Sequence, residues 1–179
     1  MKHFLIFAAI TLLAMPALAA LTRTGDDAAA TFVAVGPAGL TIEGKTNEVI
    51  LAERDGMLVF TVPLAAIDTG ISLRNKHMRE KYLEVHKHPN AVFTVSRAQL
   101  DLPSAGQTRS GTISGALSIH GVTKTVAAKY KVRNDNGRLV TEGSLRISIR
   151  DFGINVPSYL GVTVKPDIDI AIKLSAAEK

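Results

Sequence analysis

The residues of this chain best suited to chemistry are its imidazoles and a few carboxylates. His86 and His88 are separated by a single residue, Lys87, so an extended backbone places both rings on one face and offers a metal two nitrogen ligands. Two ligands are too few for a structural zinc site, Pro89 points to a turn, and the chain has no cysteine to complete a set. No metal site is therefore expected. His77 and His120 read as hydrogen-bonding residues that fix a helix and a turn. Asp68 and Asp151 invite a general acid or base role, and Arg150 offers a charge for an anion. Asp68-Thr69-Gly70, however, has the pattern of a turn that hydrogen-bonds its own backbone, and Arg150-Asp151 precedes Gly153 in a loop. No serine has a histidine and a carboxylate in a recognised local setting, no glycine-rich phosphate loop follows a strand, and no HExxH occurs. The chain reads as a non-enzyme with no cofactor.

The elements that would position these residues are strands. In 125–133, Val126, Ala128, Tyr130 and Val132 alternate with Lys129, Lys131 and Arg133, separating core from solvent along one strand. Residues 139–148 and 166–174 continue the period of two, the latter through Ile168, Ile170 and Ile172. Earlier runs at 31–36, 40–46, 48–54, 57–64, 91–100 and 112–120 are bounded by turn residues, among them Asp55-Gly56 and Asn134-Asp135-Asn136-Gly137. Short strands at such spacing predict an antiparallel sandwich or barrel. Only 72–85 breaks the rhythm, being rich in Leu, Lys, Arg, Glu and Met. It predicts one helix capped at Ser72, with Leu73, His77, Met78 and Tyr82 on the face that covers a barrel end.

Ahead of the strands, Met1-Lys2-His3 places positive charge before an apolar run, and Pro16-Ala17-Leu18-Ala19 supplies a small-residue cleavage site. Residues 1–19 read as a secretory signal peptide, and 20–179 as one mature domain exported to the periplasm. Residues 21–30, small and polar, read as a leader to the first strand. Without cysteine, stability must come from burial and strand pairing. The formal charge of +5 is spread along the chain, which reads as a solvated surface with at most transient attraction to a membrane surface, and nucleic acid is not an expected partner.

Several blocks carry a family likeness: Ile67-Asp68-Thr69-Gly70 followed by Arg74, His77-Met78, Tyr82-Leu83-Glu84-Val85, His88-Pro89 and Phe93; then Gly115 to Lys124; then Arg150-Asp151-Phe152-Gly153-Ile154. In this order they resemble the YceI family, as a shorter, divergent member. Residues 31–44 lack the family's usual histidine-containing first-strand motif, a departure that bears on ligand identity more than on fold. The resemblance implies an all-β protein with one short helix, an antiparallel lipocalin-like β-barrel of about eight strands. It also implies a pore that, in some members, holds a polyisoprenoid or quinone-type chain.

Residues on the apolar phase of their strands are then the candidates for contact with such a ligand: Phe32, Phe60, Val62, Phe93, Leu117, Ile119, Tyr130, Leu145, Ile147, Ile168 and Ile170. His77 and Met78 join them from the helix. Each strand position could equally be packed core. Gly115 and Gly143 would leave room inside a barrel or mark a bend. The expected function is a periplasmic binding or carrier protein for a hydrophobic amphiphile. The competing reading is a non-catalytic interaction or stress-response module that recognises a protein through loops such as 102–111; under either reading a monomer or homodimer is expected.

Overall fold

The computed structural model describes residues 20–159 and 162–178. The export segment expected at residues 1–19 lies outside them. Among the described residues eleven strands follow one another as β1 Leu21–Val35, β2 Thr41–Thr46, β3 Ile50–Arg54, β4 Met57–Pro63, β5 Asn90–Ser96, β6 Thr108–Ile119, β7 Val122–Asp135, β8 Arg138–Ser148, β9 Ser158–Tyr159, β10 Val162–Thr163 and β11 Asp167–Glu178. Nine of them form one antiparallel sheet in the order β2-β1-β11-β8-β7-β6-β5-β4-β3, and β9 and β10 make a separate small hairpin. The sheet curls into a half-barrel, and among the described residues no ladder joins its edges, β2 and β3. Instead, Lys45 on β2 exchanges backbone hydrogen bonds of 2.9 Å with Asp68, which covers that edge with the segment leading to the helix.

Local chemistry explains the hairpins. Asp55-Gly56, His120-Gly121 and Asn136-Gly137 are two-residue turns in which both residues have positive φ, the conformation whose twist matches that of the flanking strands. Gly137 donates its N–H to Asn134 Oδ1 at 2.7 Å, which pins the last of these turns.

Several boundaries differ from the sequence reading. Residues 21–30 are not a leader: they form the first part of β1, in which Leu21 to Thr24 pair with the end of β11 and, after a bulge, Ala29 and Ala30 resume the ladder with Lys173 and Ile172. The polar Gly25-Asp26-Asp27 of that bulge hid the strand from a period-two reading. The stretch 102–111 is only partly loop, because β6 begins at Thr108. Residues Arg97–Gln99, expected within a strand, form a 3-10 turn.

The predicted helix 72–85 is shorter. Helix α1 spans Ser72–His77 and widens into a π-helical turn over Met78–Tyr82, closed by a 2.9 Å bond from Leu83 N–H to Met78 O. Ser72 does not cap it. The segment is tied instead by Asn75, whose Oδ1 accepts from the N–H and hydroxyl of Thr69 and whose amide donates to Asp68 Oδ1 at 2.6 Å.

Candidate functional site

Burial along β11 shows how the interior is used. Leu174 and Ala176 are 1% and 3% exposed, whereas Ile168, Ile170 and Ile172 on the same face are only half-buried. The deep end belongs to a packed cluster that includes Val49, Leu58, Val95, Val132 and Leu139. Toward the other end lies a cavity of about 680 Å³, within the ~300–1,000 Å³ typical of small-molecule sites. The interior has a packed floor beneath a cavity whose wall shares Ile119, Ile147, Ile149 and Ile154 with a second packed cluster.

The cavity wall is almost wholly apolar. β1 and β11 supply Phe32, Ala34, Ile168 and Ile170, paired as Phe32 with Ile170 and Ala34 with Ile168. Val62, Ile119 and Ile147 come from β4, β6 and β8, and Tyr82 and Leu83 from the end of the helical segment. His77 and Met78 also line it, so the cap faces the cavity as its sequence pattern requires. At the rim, Leu40, Ile71 and Leu73 remain 46%, 53% and 56% exposed, which marks the mouth. Arg74 and Lys81 border it as well; among the described residues no carboxylate does.

Other interior candidates lie elsewhere. Phe60 and Phe93 pack against each other and Leu117 sits in a second packed cluster, with Leu145 between the two clusters. Tyr130 borders a separate hollow beside Gly143 and accepts a bond from Asp101 N–H at 3.2 Å. All five share the inward phase of their strands with the cavity residues, and Leu145 even pairs with Ile170 of the cavity wall, so alternation alone does not separate the two groups. Gly115 does not open space: a Cβ there would stand 2.4 Å from Phe93 Cζ, so the ring already fills the place.

Asp151 and Arg150 are exposed and lie outside the cavity wall. Asp68 serves its own turn, accepting from Asn75 and from Gly70 N–H, and these bonds hold its carboxyl below the usual carboxylate range. His86 and His88, weighed as two metal ligands on one face, part company: His86 is exposed, and His88 approaches His120 and Glu84. No spacing rule links Glu84 and His88 to a residue thirty positions away, which is why sequence reasoning missed this group.

The YceI-like domain model matches residues 27–176 of the chain. The chain belongs to the YceI-like domain family. Among curated YceI-like relatives, a UPF0312 protein of Pseudomonas paraeruginosa is 32% identical over 103 residues, which is 54% of this chain and 51% of that protein. A UPF0312 protein of Pectobacterium atrosepticum is 29% identical over 126 residues, 66% of this chain and 61% of that protein. The chain thus spans about half the length of the curated relatives it matches. Among solved structures, a polyisoprenoid binding domain from Saccharophagus degradans superposes with a TM-score of 0.76 at 18% identity, over 90% of this chain and 99% of that one. Burkholderia cenocepacia BcnA does so with a TM-score of 0.64 at 19% identity, over 83% and 96%. At these identities the likeness establishes the YceI-type lipocalin-like fold.

Proposed function

We propose that this protein is an exported, periplasmic carrier that shields the tail of a polyisoprenoid or quinone-type lipid in its barrel. The observation that supports this most directly is the apolar cavity of about 680 Å³ opening beneath the helical cap. Transfer of a hydrocarbon tail from water to such a wall gains roughly 25 cal/mol per Å² of apolar surface covered, without any polar contact. The headgroup would stay at the rim, where Arg74, Lys81 and His77 offer donors. The exposed Leu40, Ile71 and Leu73 beside those cations suit brief contact with the membrane surface from which the lipid is drawn. Membership of a family in which a solved relative is described as a polyisoprenoid binding domain agrees with this reading.

The test is organic extraction of the purified protein followed by mass analysis, on the native chain and on Ala34→Trp. Ala34 is buried in the cavity wall with space before it, so the indole should occupy that space and leave the fold intact. The expected result is a co-purifying lipid in the native protein and its loss in a variant of similar Tm. Native protein that neither carries nor takes up a prenyl lipid would overturn the proposal.

A further inference from the structure

Glu84, His88 and His120 present one carboxylate oxygen and two ring nitrogens that all lie within 4.8 Å of one another. The hydrogen-bond logic of the group is incomplete without a cation. His120 Nδ1 lies 3.2 Å from the Phe152 carbonyl oxygen, which can only accept, so the proton sits on Nδ1. In the neutral ring this leaves a lone pair on Nε2, and Nε2 faces Glu84 Oε2 at 3.2 Å, another acceptor. A positive centre must sit between them, either a second proton on the ring or a metal ion.

His88 decides between the two. A proton on His120 satisfies Glu84 without engaging the ring nitrogens of His88. Yet that ring lies edge-on to His120 at a centroid distance of 5.0 Å, wedged against Gly121, where a Cβ would stand 2.7 Å from His88 Cε1. Among the described residues no hydrogen-bond partner faces its nitrogens. Glu84 is itself set at φ +44°, in the left-handed position after a helix that glycine usually fills, so its side chain is kept there against a backbone cost. Lys87 holds its Oε1 at 2.6 Å and leaves Oε2 for the imidazoles. Two ligands bound to zinc at about 2.0–2.2 Å in a tetrahedron stand about 3.3 Å apart, close to the Glu84–His120 separation.

We propose that Glu84, His88 and His120 form a site for one divalent first-row transition ion, with water completing its coordination. Imidazole and carboxylate donors suit zinc, cobalt and nickel better than calcium or magnesium. The ion would join the segment after the cap, the β6–β7 turn and, through Phe152, the turn after β8. Those three pieces frame the cavity beside Leu83, Ile119 and Ile149. The site does not depend on the identity of any lipid.

The experiment is calorimetric titration of untagged, chelator-stripped protein with Zn²⁺, with Co²⁺ absorption as a coordination signature. One Zn²⁺ per chain is expected, and a hundredfold excess over Kd should raise Tm by about 5–10 °C. His88→Phe and Glu84→Gly should each weaken binding at least tenfold. The second relieves the backbone at position 84, so its fold should survive even if the first variant is unstable. His86→Gln should bind as the native protein does. Absence of stoichiometric binding, or binding that both site variants retain, would overturn the proposal.

Discussion

Gly115 lies beneath the Phe93 ring, and a Cβ there would also come within 2.8 Å of the Thr94 carbonyl oxygen. Backbone cannot swing aside as a side-chain tip can. Gly115→Ala should therefore cost about 1–3 kcal/mol in a urea titration, as overpacking does; a neutral result would show that β5 and β6 have slack. Charge makes a second case at this scale. Asp27 accepts from the Ser175 hydroxyl at 2.7 Å and from Arg138, and Asp68 from Asn75 and Gly70, so both carboxyls are held below their ordinary value. Groups with lowered folded pKa values add stability that is fully present above the unfolded value, near ~4, and disappears as pH falls through the folded values. Unfolding free energy should be flat in these groups above about pH 5 and decline below about pH 4. Asp68→Asn should shrink that decline; stability that rises on acidification would contradict the assignment.

Elements are joined by a second kind of contact, seen where the barrel floor meets its edge. Arg97, just after β5, is 8% exposed and donates from Nη1 to both oxygens of Glu53 on β3 at 3.1 Å, and from Nη2 to Glu178 at the end of β11. Glu53 also receives the Leu21 N–H at the start of β1. Arg97→Met would leave Glu53 buried without its counter-charge, a loss of about 3–5 kcal/mol measurable by chemical denaturation. The double change Arg97→Met with Glu53→Leu should recover most of it. How readily these elements can be read in advance follows from their chemistry. β7 shows itself because its lysines face water and its valines face the interior, and the three two-residue turns named above carry the X-Gly signature. β1 stayed half hidden because its bulge holds three polar or glycine residues, and α1 was overextended because nothing local announces an i→i+5 turn. For the site, alternation told which side chains face inward but not how far down the tube they lie. Phe93 and Ile170 look alike in sequence; only curvature of the whole sheet makes one a brick and the other a wall of the hollow.

At the scale of the whole molecule, the packed floor beneath the cavity has a consequence for selectivity. A chain entering from the mouth meets a floor beginning near Phe60 and Leu174, and nothing beyond that point can be accommodated. For a lipid carrier as proposed above, the floor would act as a ruler. Across a series of prenyl compounds with a common headgroup, each added five-carbon unit should tighten binding about tenfold, at ~0.3 kcal/mol per heavy atom, until the tip touches bottom. Longer homologues should then gain nothing, because their surplus carbons remain in water above the rim. Fluorescence competition over such a series would locate the plateau, and shaving the floor with Phe60→Ala should move it to a longer homologue.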